Sequence, residues 1–220
     1  MTNIRFVKFI NILTPLLLLI IVSFPLFLNV NKTVIRCFDE SRQAVSALEM
    51  SINGLSIINT FENKPDLWNT KPPLLIIIQA IFIKLLGVNE LSIRLPIIIA
   101  CIFLCMIMFY SISKINTFVA VFSIIIFITR NGVFSEHSFT TGDFDGLLTL
   151  FTTSYLITFF IATEHPDKIR YNILFFLFFI LAIFTKSSQS LIFIPGIIVY
   201  SIIRKYNIFS KKNLLFASIT

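Results

Sequence analysis

The chain consists of long apolar runs separated by short polar segments, and this pattern constrains the fold more than any single motif. Hydrophobic residues make up 56% of its 220 residues and charged residues 13%, with a mean hydropathy of +0.91. A soluble domain carries about 25% charged residues. Backbone within a hydrocarbon layer must satisfy its own hydrogen bonds, which a helix does within one segment. The sequence therefore predicts an all-α, polytopic transmembrane helical bundle.

The apolar runs predict six membrane spans and the start of a seventh. The run 74–86 is different, because its length of about 13 residues suits an interfacial segment better than a span. It also carries Gln79 and Lys84. We predict that it is a juxtamembrane helix within an outer loop that covers residues 29–94. The predicted spans are 9–28, 95–112, 117–129, 146–162, 171–185 and 191–203, with a further run beginning at 214.

The basic residues predict an orientation in the membrane. If the N-terminus is cytoplasmic and the run 74–86 does not cross, the short outer loops hold only Arg130 and Lys186. This is the positive-inside bias. The net charge of +7 then reflects membrane orientation, and no clustered basic face predicts nucleic-acid binding. The inner segments hold Arg5, Lys8, Lys114, Lys168, Arg170, Arg204, Lys205, Lys211 and Lys212.

Metal ligands are sparse in the sequence. Cys37, Cys101 and Cys105 form no disulfide framework and no CxxC pair. Cys101 and Cys105 are four residues apart in an apolar run, so we interpret them as small buried hydrophobic residues. Glu136 beside His137 offers two ligand atoms, but a lone histidine in a loop usually has no special role. Spacing alone therefore predicts no metal site.

The predicted orientation collects charged residues at one water-facing end of the bundle. They are Asp39, Glu40, Lys71, Asp143 and Asp145. A carboxylate is a common general base for an acceptor hydroxyl or amine, and a lysine offers a point charge to a departing phosphate. The pattern favours group transfer at an outward-facing polar site.

Simpler interpretations of the same residues remain open. Each charge could be an ordinary solvated loop residue. Lys71 precedes Pro72–Pro73, a pair that also suits the start of a helix. Asp143 and Asp145 could serve only as negative charges at a helix N-terminus.

Six motifs, taken in order, resemble one known family. Their order and spacing are similar to those of the dolichyl-phosphate-mannose-protein mannosyltransferase family in the broad sense. That superfamily of integral membrane glycosyltransferases includes the bacterial aminoarabinose transferases of lipid A. The motifs are Asp39-Glu40, Lys71-Pro72-Pro73-Leu74-Leu75, Leu86-Gly87-Val88-Asn89-Glu90, Arg94-Leu95-Pro96, the stretch 142–151 (GDFDGLLTLF) and Phe184-Thr185-Lys186.

The resemblance implies a C-type glycosyltransferase. Such an enzyme moves a hexosyl or pentosyl sugar from a polyprenyl-phosphate donor, such as an undecaprenyl-phosphate sugar, to a lipid, glycan or protein acceptor. It implies that the site lies at the outer face of a bacterial inner membrane. Asp39 of the acidic pair Asp39–Glu40 would be the acidic catalytic residue, and Lys71 would hold the carrier phosphate. The second-loop carboxylate maps onto Asp145, with Asp143 as the alternative.

The sequence departs from the family pattern at several positions. Thr70 stands where the aminoarabinose transferases have a glutamate, and Thr140 where many relatives have an arginine. Ser187-Ser188 follow Lys186 in place of Gly-Pro. A divalent metal therefore remains an open possibility, with no ligands assigned.

Relatives in the family are about twice as long or more. The resemblance thus implies that residues 1–220 are the N-terminal transmembrane module of such an enzyme, without its C-terminal remainder. The alternative is a non-catalytic multi-span protein, either a truncated or inactive paralogue or a carrier component. A carrier should have ionisable residues within its spans, and the predicted spans have almost none.

Overall fold

The computed structural model describes residues 4–28, 30–67, 69–134 and 137–206. Within them the chain forms a helical bundle, with one small antiparallel hairpin of strands β1 (Thr60–Phe61) and β2 (Lys64–Pro65). The helices are α1 (Ile4–Phe27), α2 (Asp39–Asn53), α3 (Leu74–Leu86), α4 (Glu90–Ile112), α5 (Thr117–Ile128), α6 (Asn131–Phe134), α7 (Phe144–Glu164), α8 (Arg170–Lys186) and α9 (Ile194–Ile203).

Each of the six predicted spans overlaps a helix, and the predicted all-α fold is confirmed. Among the described residues, three stretches are long and apolar enough to cross a membrane, namely α4, α7 and the continuous stretch Arg170–Leu191. The other apolar helices are shorter: 13–27 within α1, together with α3, α5 and α9. The predicted run at 214 lies outside the described residues.

Two helix boundaries differ from the predicted spans for local reasons. Helix α4 begins at Glu90, before the predicted 95, because Asn89 caps it: the Asn89 side chain accepts a hydrogen bond from the Ser92 N–H. The predicted span 191–203 is divided. A 3₁₀ turn at Ser187–Leu191 precedes α9, which has a proline in its first turn.

Helix α4 occupies the centre of the bundle and packs against α1, α3, α5 and α7. Its buried residues Ile97, Cys101 and Leu104 recur at intervals of three and four, which is the spacing of one helical face. Cys101 and Cys105 are buried thiols and Cys37 is exposed. The interpretation of the first two as buried hydrophobic residues is confirmed.

An aromatic cluster joins α7 to α8 and the turn that follows. Tyr155 is fully buried and meets Phe175 edge-to-face at a centroid distance of 6.0 Å. The Tyr155 hydroxyl donates to the Ser190 carbonyl at 2.9 Å. This bond holds the 3₁₀ turn against α7 and so fixes the end of α8 at Lys186.

Helix α3 lies along α2 at the end of the bundle where α4 and α7 begin. Lys71, just before α3, contacts Asp39 at the start of α2. Ile83, near the C-terminal end of α3, lines a groove together with Ala44 and Leu48 of α2. Both ends of α3 therefore stay beside α2. The juxtamembrane position of α3 stays a prediction. We call α2, the hairpin, α3 and the segment 137–143 the loop layer.

A buried arginine joins the loop layer to the bundle. Arg94, in the first turns of α4, is 1% exposed. Its Nε and Nη2 donate to the two carboxylate oxygens of Glu40 at 2.7 and 3.0 Å. Its Nη1 donates to the Val30 carbonyl and to the carbonyl and hydroxyl of Thr33, and its Nη2 to the Val34 carbonyl, at 2.6–2.9 Å. The guanidinium thus ties the chain after α1 to both α2 and α4.

Replacing this arginine should destabilise the protein strongly. Arg94→Met leaves the Glu40 charge buried without its cation, and breaking a buried pair in this way costs about 3–5 kcal/mol. The matched control is Arg204→Met, because Arg204 and its partner Glu164 are 46% and 44% exposed. An exposed pair contributes about 0–1 kcal/mol. Denaturant unfolding in detergent micelles measures both variants, and equal losses would contradict the role given to Arg94.

Candidate active site

Asp39 and Lys71 meet at one end of the bundle although 32 residues separate them. The Lys71 Nζ lies 3.2 Å from Asp39 Oδ1 and 5.2 Å from the centroid of the Phe144 ring. The backbone of Lys71 is held on both sides: its N–H donates to the Asn69 side chain and its carbonyl accepts from the Asn59 side chain. The lysine is thus positioned by its own backbone as well as by its ion pair.

Asp143 is the buried carboxylate of the site. It is 3% exposed and caps the N-terminus of α7, where its Oδ1 accepts from the Phe144 N–H at 2.7 Å. The Gln43 amide donates to the same oxygen at 3.1 Å. Burial alone would raise the pKa of Asp143, but hydrogen bonds from His137, Gln43 and Phe144 outweigh it and hold that pKa below 3.8. Asp143 is therefore ionised at neutral pH.

His137 bridges the two acidic loops. Its Nδ1 contacts Asp143 Oδ2 and lies 3.7 Å from Asp39 Oδ2. Its backbone has a φ of +59°, an uncommon value for a residue other than glycine. The hydrogen bond with Asp143 and the charges of Asp143, Asp39 and Asp145 raise the pKa of His137 above 6.5, against the opposing effect of burial. Sequence reasoning gave this residue little weight, although it lies only six positions before Asp143.

Glu40 has a different environment from its neighbour Asp39. It is 3% exposed, and both oxygens are already bonded to Arg94. The N–H groups of Arg36 and Gly142 also donate to it, each at 2.8 Å. Burial would raise the pKa of Glu40, but these bonds outweigh it and the pKa lies below 4.5. The sequence made Glu40 a candidate for group transfer as the second member of the acidic pair, and the geometry favours a structural role for it instead.

Gly142 allows the second loop to approach the first. A Cβ at this position would lie 2.3 Å from Cγ2 of Ile93 and 3.0 Å from the Gln79 amide nitrogen. The Gly142 carbonyl instead accepts from that amide at 2.9 Å, while its N–H donates to Glu40. The segment 137–143 is therefore seated against α2, α3 and α4 through a residue with no side chain.

Asp145 and Lys186 form a separate pair at the same end of the bundle. The Lys186 Nζ lies 2.5 Å from Asp145 Oδ1, in the first turn of α7. By register the resemblance favours Asp145 as the second-loop carboxylate, yet Asp143 is the residue that contacts His137 beside Asp39. The geometry thus favours the alternative, Asp143, for a site that includes Asp39.

Two cavities adjoin the charged cluster. One has a volume of about 290 Å³ and includes Asp39, Thr70 and Lys71 in its lining. The other, of about 620 Å³, is lined by the chain before α2 and by His137 and Asp143. Asp39, His137 and Asp143 also offer ligand atoms within 4.8 Å of one another. Glu136, the other residue considered as a ligand beside His137, lies outside the described residues.

An apolar bundle with a lysine and several carboxylates over one end defines a multi-span membrane protein with a polar site at its surface. The chain belongs to the dolichyl-phosphate-mannose-protein mannosyltransferase family, whose model matches residues 70–220. The family predicted from the motifs is thereby confirmed. No curated protein matches the sequence.

Solved structures of ArnT from Cupriavidus metallidurans share this fold. The form bound to undecaprenyl phosphate matches with a TM-score of 0.73, and the apo form with 0.75. In both comparisons the sequence identity is 16% and the match covers 94% of this chain. The match covers 39% and 40% of the ArnT chains, so this chain spans about two fifths of their length.

Acidification should weaken the bonds of Glu40 to Arg94 and to the Gly142 N–H. Because its folded-state pKa lies below 4.5, the unfolded state binds more protons between the two values. The stabilisation that ionised Glu40 gives to the folded state is fully present above about pH 4.5. It is lost as the pH falls through the lowered pKa of Glu40 in the folded state. Thermal denaturation from about pH 7 to about pH 3 should therefore show a falling midpoint at the acidic end.

The variant Glu40→Gln provides the control. The variant should have a lower melting temperature than the wild type near neutral pH. Its melting temperature should fall less on acidification, because it has no carboxylate to protonate at this position. Some acid dependence should remain, since the pKa of Asp143 is also lowered. If the melting temperatures of both proteins fell equally with pH, Glu40 would not contribute to the acid dependence of stability.

Proposed function

We propose that this chain is the site-bearing module of a membrane glycosyltransferase. The enzyme transfers a hexosyl or pentosyl sugar from a polyprenyl-phosphate-linked donor to a lipid, glycan or protein acceptor. Family membership and the ArnT-like fold support the reaction class. The observation that carries the proposal is the meeting of Asp39, Lys71, His137 and Asp143, from three separate segments, over one end of the bundle.

Lys71 is suited to hold the donor phosphate. Lys71 lines a cavity of about 290 Å³, which is also lined by the polar residues Asn69 and Thr70. When the bond between the sugar and the phosphate breaks, negative charge grows on the departing polyprenyl phosphate. A cation held in place by its backbone stabilises that charge without having to reorganise.

Asp39 is suited to act as the general base. Its side chain is 44% exposed, whereas Asp143 is buried and bonded on both oxygens. In the proposed step the acceptor hydroxyl or amine gives its proton to Asp39 and forms a bond to the anomeric carbon. The bond from that carbon to the phosphate oxygen breaks, and polyprenyl phosphate leaves.

The proposed site faces the outer, periplasmic side of the inner membrane. Helices α4 and α7 begin at the loop layer, so their other ends lie away from the site. Lys114 follows α4 there, and Lys168 lies between α7 and α8. Arg170 is the first residue of α8, and Arg204 follows α9. Basic residues at the end opposite the site are the pattern of the positive-inside rule.

Substitution of the two charged groups tests the proposal. Membranes that contain the full-length protein are supplied with labelled undecaprenyl-phosphate hexoses and pentoses, and the label transferred to acceptor is measured. Asp39→Asn should lower the transfer rate by about 10²–10⁴-fold, because the acceptor loses its base. Lys71→Met should lower it by about 10²–10³-fold, because charge on the leaving phosphate loses its cation.

The matched control is Lys84→Met, an exposed lysine on the same helix α3, which should transfer sugar at the wild-type rate. Normal transfer by Asp39→Asn would refute the base assigned here. No transfer by the wild-type protein from any labelled donor would favour the alternative, a non-catalytic paralogue.

A further inference from the structure

Three potential metal ligands converge where the two acidic loops meet. The ligand atoms of Asp39, His137 and Asp143 lie within 4.8 Å of one another. His137 Nδ1 contacts Asp143 Oδ2 and is 3.7 Å from Asp39 Oδ2. Bonds of about 2.0–2.2 Å to nitrogen and oxygen ligands place neighbouring ligand atoms roughly 3 Å apart. Small side-chain rotations would bring these three atoms to that spacing.

The second oxygen of each carboxylate is held by another group. Asp39 Oδ1 accepts from Lys71, and Asp143 Oδ1 accepts from Gln43 and the Phe144 N–H. Both Oδ2 atoms therefore face His137. Outer hydrogen bonds that orient carboxylates in this way are a regular feature of metal sites.

Gln43 supplies an independent observation. The residue is 2% exposed and lines the cavity shared by Asp39 and Lys71. Its amide nitrogen donates to Asp143, while its Oε1 has no hydrogen-bond partner within the described part of the chain. Buried amide oxygens nearly always accept a hydrogen bond. A water molecule bound to an ion beside Asp143 would supply one.

We propose that Asp39, His137 and Asp143 bind one divalent transition-metal ion, of the Mn²⁺ or Zn²⁺ type. Two carboxylates and an imidazole suit these ions better than Ca²⁺, which prefers oxygen ligands alone. Asp39 and His137 are 44% and 54% exposed, so water can complete the coordination shell. The ion uses the Oδ2 atoms and leaves Asp39 Oδ1 beside Lys71. The site shares Asp39 with the sugar transfer proposed above, but metal binding is measured without transfer, so the two proposals can fail separately.

Metal titration of the purified, tag-free full chain tests the site. After treatment with a chelator, the protein is titrated with MnCl₂ or ZnCl₂ alone, followed by calorimetry and, for Mn²⁺, by electron paramagnetic resonance. We expect one equivalent to bind to the wild type and to raise its melting temperature, because the ion binds only the folded state. His137→Ala should weaken binding by at least about 10-fold, since it removes one of three protein ligands.

The matched control is His165→Ala, since His165 is the exposed C-cap residue of α7, away from the loop layer. This variant should bind as tightly as the wild type. Asp143→Asn tests a second ligand, and its melting temperature without metal reports whether it is folded. Absence of stoichiometric binding, or wild-type binding by His137→Ala, would overturn the proposal.

Discussion

The buried ion pair between Arg94 and Glu40 is the interaction on which the site depends. A charge inside protein is tolerated when its hydrogen-bonding groups are all used, and here both partners meet that condition. Arg94 binds the chain after α1, and Glu40 binds the N–H of Gly142 in the second loop. One pair therefore sets the distance between two loops that lie about a hundred residues apart.

The same pair explains why neighbouring acidic residues have different roles. Successive residues on a helix point about 100° apart, so Asp39 and Glu40 at the start of α2 face different surroundings. Glu40 turns inward to Arg94, and Asp39 turns to Lys71 and His137. Glu40 therefore stabilises the arrangement of the site, and Asp39 lies at the surface of the site.

The long apolar runs predicted the helices, because a run of apolar residues bounded by polar segments can be recognised from composition alone. Counting charges predicted only that Asp39 and Lys71 lie on the same side of the membrane, whereas their contact is known from the structure. The partner of Glu40 could not be predicted, since Arg36, Arg42, Lys71 and Arg94 all lie in or beside the same outer loop. Asp143 is the N-cap of α7, and Asp145 lies in the first turn of the same helix. The register of the motif alone does not determine which of the two contacts His137.

Cross-linking measures directly whether Arg94 holds the two loops together. Cys37 and His137 line the same cavity of about 620 Å³, while Cys101 and Cys105 are buried. A short reagent that joins two thiols is applied to His137→Cys, with and without Arg94→Lys, which keeps the charge but not the forked contacts. The account predicts an efficient link from Cys37 to the cysteine at position 137 and a several-fold loss in the double variant. Equal yields in the two proteins would contradict it.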